Sequence, residues 1–238
     1  MFSGQIDGVG PFQITPLGLG DLTIPEGTPM AGAVLPVRAF LLAHPQGLLL
    51  FDTGLGEEHP AFDRLLRPRR RRLDDALAAT GVRMADIAFV TNCHLHYDHA
   101  GGNPLFPARP LFVQVAEYEA AGELAYFTPE SITFAGADLR ILQGETAILR
   151  GIRLIPTPGH TPGHQSLLVE ARGGPVIVAG QAAYTAAEYR NPHREPARGL
   201  KTAYDGQAFL ASIALLHALN PQRVYFSHDE STWEPGAD

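Results

Sequence analysis

Three histidines and one aspartate stand within six consecutive positions of the segment NCHLHYDHAGG, residues 92–102. His94 and His96 are two residues apart and directly follow the apolar run DIAFVTN. Side chains two apart in an extended segment point to the same side, so both imidazoles can face one site. Asp98 and His99 follow where the chain is expected to turn. Because imidazoles and carboxylates bind zinc and similar divalent ions, this spacing predicts a metal site.

Further histidines stand in segments next to other apolar runs. His164 belongs to PTPGHTPGHQ, whose prolines and glycines suit a rigid loop between strands, and His228 ends the run VYFSH. The position after another apolar run, VIVAG, is Gln181. The sequence predicts two groups of ligands, one of His94, His96 and His164 with an open position for water, and one of Asp98, His99 and His228.

The single cysteine, Cys93, lies beside this cluster. One cysteine excludes an internal disulfide and suits a reducing cytoplasm. In an extended segment its side chain should point away from those of His94 and His96, so we expect a small buried residue. A role as a metal ligand is the alternative.

Composition limits the classes of function. The chain of 238 residues is 45% hydrophobic, which predicts one domain over residues 1–238 with a sizeable core. Its first ten residues do not form a signal peptide, and its apolar runs are shorter than the ~20 residues that span a bilayer. We therefore expect a cytoplasmic protein without membrane contact. The net charge of −7 argues against a nucleic-acid partner, since phosphate backbones attract positive surfaces.

One segment departs from that acidic balance. Residues 64–72 contain six arginines, which could form an anion-binding or nucleic-acid-binding patch. We expect a solvated turn between two short helices instead, because Asp74 and Asp75 follow and aromatic residues do not alternate with the arginines.

Apolar runs bounded by turn formers predict strands packed inside helices. A helix over DDALAATG should end at Gly81, VAEYEAAGEL is short and amphipathic, and a longer helix should start with Asp205 as its N-cap. Residues 18–36 are either a flap over the site or an N-terminal strand and turn. The predicted strands cover residues 34–42, 47–54, 86–92, 110–114, 151–157, 165–171, 175–180 and 223–228.

The chain resembles the metallo-β-lactamase superfamily over about residues 34–230. HLHYDHAGG is similar to its HxHxDH signature, and DTG at 52–54, TPGHTPGHQSLL at 157–168 and FSHD at 226–229 follow in the family's order. The resemblance implies an α/β fold, the αββα four-layer sandwich, with a metal site along one edge of the paired sheets. By that match His164 is the ligand, and His160 is a loop residue that bonds the backbone or supports a ligand.

Within the superfamily, the segment GQAAYT is similar to that of the quorum-quenching N-acyl-homoserine lactonases. The resemblance implies that Tyr184 contacts the substrate carbonyl, and Tyr97 fills an aromatic slot that also faces the substrate. Gln181 departs from the pattern, since most members with two metal ions have a bridging aspartate there. A neutral glutamine is a weak ligand at best, so we expect one tightly bound zinc, or another divalent transition metal, and a second, weaker ion.

The resulting hypothesis is a hydrolase that uses a metal-bound hydroxide to open a lactone or cleave a small ester. Tyr184 would donate to the developing oxyanion, and Asp98 would orient the hydroxide and return the proton. Asp52 is expected to orient the surrounding loops or a ligand. The partner is a small-molecule substrate, and the sequence also allows a homodimer. The alternatives are a glyoxalase II-like thioesterase, a β-lactamase, and a metal-binding pseudoenzyme that binds a small ligand.

Overall fold

Two mixed β-sheets pack against each other in the computed structural model, which describes residues 12–28, 30–123, 129–194 and 198–236. The expected absence of a signal peptide concerns residues that lie outside these ranges. The first sheet has the order β4 (Arg69–Arg70), β1 (Gln13–Thr23), β2 (Val34–Ala43), β3 (Leu48–Phe51), β5 (Ile87–Thr91), β6 (Pro110–Gln114) and β7 (Asp138–Leu142). The second has the order β13 (Asp229–Trp233), β12 (Arg223–Phe226), β11 (Val176–Val178), β10 (Gln165–Val169), β9 (Ile152–Pro156) and β8 (Thr146–Leu149).

Helices cover the outer faces of both sheets. The first sheet packs against helices near the chain's beginning and middle, and the second packs against later helices. The helices are α1 (Pro60–Leu66), α2 (Leu73–Ala78), α3 (Tyr97–Ala100), α4 (Val115–Glu123), α5 (Pro129–Ile132), α6 (Ala186–Arg190), α7 (Arg198–Thr202) and α8 (Gly206–Ala218). Among the helices within the described ranges, none is long and apolar enough to cross a bilayer.

Side-chain alternation along the strands creates the four layers. In β3, Leu49 and Phe51 point between the sheets, where they meet Leu154 and Leu167 of the second sheet. Leu50 points the other way, into a core shared with the helices on the outer face. Because successive side chains of a strand face opposite sides, a short run that is apolar throughout can fill both layers. The expected αββα arrangement is confirmed.

The predicted elements exist with somewhat different bounds. Each of the eight predicted strands overlaps an observed one. The helix after Asp205 is capped as expected, because Asp205 Oδ1 accepts hydrogen bonds from Gln207 N at 2.9 Å and Ala208 N at 3.0 Å. Five strands within the described ranges were not predicted: β1, β4, β7, β8 and β13. In β1 the alternating leucines are interrupted by glycines and a proline. The described part of residues 18–36 belongs to β1, β2 and their connection, so the strand-and-turn alternative is the correct one.

Most of the arginine run connects α1 to α2, as expected, although Arg64 lies within α1 and part of the run forms the short strand β4. Arg70 pairs with Asp63 at 2.5 Å, and Arg72 pairs with Asp74 at 2.8 Å. The Arg72–Asp74 pair is exposed, and ion pairs of that kind contribute little to stability. The acidic neighbours therefore offset part of the positive charge, which fits a solvated connection.

A buried carboxylate joins the two loops that carry most of the histidines. Glu117 of α4 accepts hydrogen bonds from Leu95 N at 2.8 Å, Thr161 Oγ1 at 2.6 Å and Gly163 N at 3.1 Å. Leu95 lies between the first two histidines, and Thr161 and Gly163 lie in the histidine-rich loop after β9. The sequence analysis placed Glu117 only on an amphipathic helix, because a contact between distant segments has no local signature.

We predict that Gly163→Ala destabilises the fold. The added Cβ would lie 2.0 Å from Glu117 N, and overpacking of this kind costs about 1–3 kcal/mol. Gly122→Ala in α4 is the matched control, because nothing lies within 4 Å of its Cβ and alanine favours a helix by about 0.5–1 kcal/mol. Urea unfolding with a chelator present measures both variants. A Gly163 variant as stable as the wild type would contradict the close contact.

Candidate active site

The ends of five strands bring the polar residues to one edge of the paired sheets. Asp52 follows β3, the histidine-rich segment at 94–99 follows β5, and the loop at 157–164 joins β9 to β10. Gln181 and His228 follow β11 and β12, two parallel neighbours in the second sheet. Because β3 and β5 are also parallel, their ends leave the first sheet at the same edge. Strand direction therefore explains why residues distant in sequence meet here.

Asp52 links the two sheets at this edge. It is fully buried, and its backbone has φ 65°, a left-handed conformation that aspartate tolerates better than most residues. Its carboxylate accepts hydrogen bonds from Cys93 N at 2.8 Å and Ser227 Oγ at 3.0 Å, and lies 2.9 Å from His99 Nδ1. Asp52 therefore fixes the His99 ring with Nε2 directed into the site.

The first group of facing nitrogens consists of His94, His96 and His160. His96 Nδ1 lies 2.9 Å from His94 Nε2 and 3.2 Å from His160 Nε2. A single imidazole nitrogen carries either one proton or one lone pair, so it cannot form both contacts as ordinary hydrogen bonds. Three nitrogens that converge in this way suit a cation between them.

The structure places His160 in this group and not the expected His164. His164 Nδ1 lies 2.9 Å from Thr157 Oγ1, and its Nε2 accepts the Gln181 backbone N–H at 3.0 Å. Both ring nitrogens are therefore used by the protein, whereas His160 presents Nε2 to His96. The assignment of His164 as a ligand, which the resemblance implies, stays a prediction, because one ligand atom each of His164, Cys93 and His94 lie within 4.8 Å of one another. His164 holds the Gln181 backbone in place.

The second group consists of Asp98, His99 and His228. His99 Nε2 lies 3.3 Å from Asp98 Oδ2 and 3.2 Å from His228 Nε2, and His228 Nε2 lies 3.5 Å from Asp98 Oδ2. Gln181 Oε1 lies 3.0 Å from His99 Nε2 and 3.1 Å from His228 Nε2. The glutamine oxygen is therefore a fourth potential ligand atom in this group.

The distances and charges of the second group fit a divalent cation. His228 Nδ1 faces the Pro36 carbonyl at 2.8 Å, so it carries the proton and leaves a lone pair on Nε2. That lone pair points at the oxygens of Gln181 and Asp98, and such an arrangement needs positive charge among them. Ligand atoms about 2.0–2.1 Å from a tetrahedral zinc ion lie about 3.3 Å apart, close to the distances observed here.

Burial keeps most of the imidazoles in the neutral form that binds metals. It lowers the pKa of His94 and His160 well below their usual range, with further repulsion from neighbouring histidines. It also lowers the pKa of His96 and His228 to about 4. Imidazoles bind metal through an unprotonated nitrogen, so these rings can act as ligands at neutral pH.

The acidic members favour positive charge at the centre of the second group. Burial alone would raise the pKa of Asp98, but attraction to His99 and His228 lowers it, so the carboxylate is ionised. Burial likewise opposes protonation of His99, yet Cys93 and the carboxylates of Asp98 and Asp52 raise its pKa well above the usual range. A site that attracts a proton this strongly also suits a metal cation.

Cys93 is buried, as expected, but its side chain does not point away from His94. The Sγ atom lies 3.1 Å from His94 Nδ1 and 3.2 Å from His99 Nδ1. Burial, followed by repulsion from Asp52, raises the pKa of this thiol to about 12. The thiol therefore contacts the Nδ1 atoms of these two imidazoles, whereas their Nε2 atoms face the site.

The two tyrosines occupy different positions. Tyr184 lies at the site, with its ring stacked on His228 at 5.5 Å between centroids and edge-on to His160 at 6.1 Å. Tyr97 instead packs its ring on Phe62 at 4.7 Å, and its hydroxyl donates to the carbonyl of Glu57. Tyr97 thus supports the segment around α1, and its expected contact with the substrate stays a prediction. Tyr97 is the first residue of α3, and its side chain points toward Phe62 of α1.

The family of the chain follows from comparison with known proteins. The model of the family described as the Metallo-beta-lactamase superfamily matches residues 32–228, most of the chain. The chain belongs to the metallo-β-lactamase superfamily. The matched region contains every residue of the two groups described above.

Similar proteins of this superfamily are lactonases. An N-acyl homoserine lactonase from a Bacillus species is 34% identical over 211 residues, which cover 82% of each chain. The structure of a Bacillus thuringiensis AiiA variant with N-decanoyl-L-homoserine bound at the active site has a TM-score of 0.78 and 27% identity, covering 93% of this chain and 95% of that one. An N-acyl homoserine lactone hydrolase with N-hexanoyl-L-homoserine at its catalytic metal center has a TM-score of 0.76 and 29% identity, covering 94% of each.

We predict that His160→Ala weakens metal binding more than His164→Ala does. His160 Nε2 lies 3.2 Å from His96 Nδ1 in the first group, whereas His164 Nε2 accepts the Gln181 backbone N–H. Loss of a residue that only supports a ligand typically lowers metal affinity about 10–100-fold, and loss of a ligand should exceed that. Competition with a chromophoric chelator measures both affinities. A weaker affinity in the His164 variant would restore the assignment made from the resemblance.

We also predict that Gln181→Asp tightens binding of the second equivalent of metal. Among the described members of the two groups, Asp98 is the one carboxylate, so two dications would repel each other with little compensation. Aspartate adds a negative charge where the neutral glutamine oxygen lies. Chelator titration with metal analysis should show that the wild type releases its two equivalents of metal at clearly different chelator concentrations. In the variant, the two chelator concentrations should be closer to each other. Identical release curves for the two proteins would contradict this account.

Proposed function

We propose that the protein hydrolyses the lactone ring of N-acyl homoserine lactones and thereby quenches quorum signals. The position of Tyr184 carries this proposal, because its ring touches His228 and His160, one histidine from each group. A substrate carbonyl bound between the groups would therefore lie beside the tyrosine hydroxyl. The similar lactonases support a cyclic ester as the substrate, and their structures with ring-opened N-acyl homoserines support the acyl arm.

Zinc is the proposed cation, held by His94, His96 and His160 and by Asp98, His99 and His228, with Gln181 as a neutral oxygen ligand. This set of imidazoles and one carboxylate suits zinc among divalent ions. When bound, a divalent cation supplies Lewis acidity, which polarises an ester carbonyl and makes water a better nucleophile at neutral pH.

Tyr184 acts as a hydrogen-bond donor. Burial, the largest effect, raises the pKa of its hydroxyl to about 12, so the group is neutral at physiological pH. As water adds to the lactone carbonyl, negative charge develops on the carbonyl oxygen. A buried, fixed O–H group stabilises that charge more than it stabilises the neutral carbonyl of the substrate, and this difference accelerates the reaction.

Asp98 moves the proton. Its carboxylate is ionised and slightly exposed, with 12% of the side chain accessible, so it can accept a proton from the attacking water. The new C–O bond forms as that proton leaves the water, and the ring C–O bond then breaks. Returning the proton to the leaving alkoxide oxygen yields a hydroxy acid and regenerates the carboxylate.

We predict that Tyr184→Phe lowers kcat for an N-acyl homoserine lactone about 10²–10³-fold, the effect typical of removing one oxyanion donor. Metal content and unfolding midpoint should stay near those of the wild type, since phenylalanine preserves the ring contacts. Steady-state kinetics and metal analysis of the same preparations provide the test.

The control panel for this experiment contains a glutathione thioester and a β-lactam. Hydrolysis of the lactone in preference to both supports the proposed substrate class. Preferred turnover of the thioester or the β-lactam would overturn it, and wild-type kinetics of the Tyr184 variant would remove the hydroxyl from the mechanism.

A further inference from the structure

A second buried carboxylate, outside both histidine groups, lies beneath Tyr184. Glu188 of α6 is only 5% exposed. One of its oxygens accepts the backbone N–H of Tyr184 at 2.7 Å, and the other accepts the backbone N–H of Gly199 at 2.6 Å. Burial raises the pKa of Glu188, although these two donors and the nearby Arg198 oppose the shift. Burying a carboxylate is costly, so its two short bonds must hold the connected segments firmly.

The contact with α7 is too close for any side chain at Gly199. A Cβ there would lie 2.4 Å from Phe209 Cζ and 2.9 Å from Glu188 Oε2. The first turn of α7 is therefore pressed between the Glu188 carboxylate and α8. This packing fixes the position of the short helix relative to the segment between β11 and α6, which carries the tyrosine.

The other end of α7 contacts the tyrosine hydroxyl. Thr202 Oγ1 donates to the Arg198 carbonyl at 2.9 Å and lies 3.3 Å from Tyr184 Oη. Since the threonine proton is already used, its oxygen is the acceptor and Tyr184 is the donor. A hydrogen bond with the Gln181 side chain also lowers the pKa of Tyr184, as expected for an amide that donates to the phenol oxygen. The orientation of the Tyr184 O–H group thus depends on the position of the Thr202 side chain.

We infer that Glu188 is a positioning residue that directs the Tyr184 hydroxyl toward the reacting carbonyl. The Glu188 carboxylate fixes the backbone of Tyr184. Through Gly199 and α7 it also fixes Thr202, which accepts the hydrogen bond of the Tyr184 hydroxyl when no substrate is bound. A substrate carbonyl then replaces Thr202 as the acceptor with little movement of the ring. This inference rests on the proposed function, because it takes Tyr184 as the donor to the developing oxyanion.

Glu188→Gln is the direct test, because it keeps the size of the side chain while changing one acceptor. Both partners of Glu188 are backbone donors, so the amide NH₂ must face one of them and lose that bond. We expect kcat to fall roughly 10–100-fold, as a small misplacement of a catalytic group can cause, with KM and metal content nearly unchanged. The matched control is Glu119→Gln on the exposed face of α4, which should leave kcat unchanged.

A double-mutant cycle with Tyr184→Phe separates positioning from general structural damage. If Glu188 acts through the hydroxyl, then Glu188→Gln should change kcat by less than about twofold in the phenylalanine background. Loss of the same factor in both backgrounds would overturn the inference. Thr202→Val, cycled against Tyr184→Phe in the same way, decides the question if the Glu188 variant does not fold. Additive effects of Thr202→Val and Tyr184→Phe would then count against the inference.

The same data distinguish this inference from the proposed function. A large effect of Tyr184→Phe with additive double variants would refute the role of Glu188 and leave lactone hydrolysis by Tyr184 intact. Wild-type kinetics of Tyr184→Phe, or no turnover of any lactone by the wild type, would refute the proposed mechanism. The role assigned to Glu188 would then be refuted with it.

Discussion

The buried Asp52 carboxylate is the contact on which the arrangement of the site depends. It bonds the backbone of the histidine-rich segment after β5 through Cys93 N, the end of β12 through Ser227, and the ring of His99. These groups come from both sheets, so one side chain sets the distance between the sheets at the edge where the histidines lie. A fully buried carboxylate is stable only when its oxygens are hydrogen-bonded, and here both oxygens are.

The rest of the site repeats this use of buried carboxylates. Glu117 holds the two histidine-bearing loops together, and Glu188 holds Tyr184 and α7 together. Both accept backbone N–H groups from two separate segments, which makes loops behave as rigid parts of the fold. The imidazoles consequently converge with nitrogen distances close to those of a metal site. Precise placement of this kind is what transition-state stabilisation by fixed donors requires.

Much of this architecture could be predicted from the sequence, because short apolar runs and the residues that follow them report strand ends directly. The histidines of the HxHxDH segment and His228 fall where expected for that reason. The sequence pattern alone does not say whether His160 or His164 lies beside His96, since both stand in the same Pro-Gly-His pattern. Contacts distant in sequence place them: the Gln181 backbone N–H bonds His164 Nε2, and His160 Nε2 lies beside His96 Nδ1. The role of Tyr97 was missed because its partners in and before α1 are also distant in sequence.

The central claim is that these buried side chains converge to hold divalent cations, with His160 as the proposed ligand and His164 holding the Gln181 backbone. Anomalous diffraction at the zinc absorption edge, from crystals of the zinc-loaded protein, tests it most directly. The account predicts a strong peak bound by His94, His96 and His160, and a weaker one bound by Asp98, His99 and His228 with the Gln181 oxygen beside it. A peak bound by His164, or no peak at either group, would contradict the account.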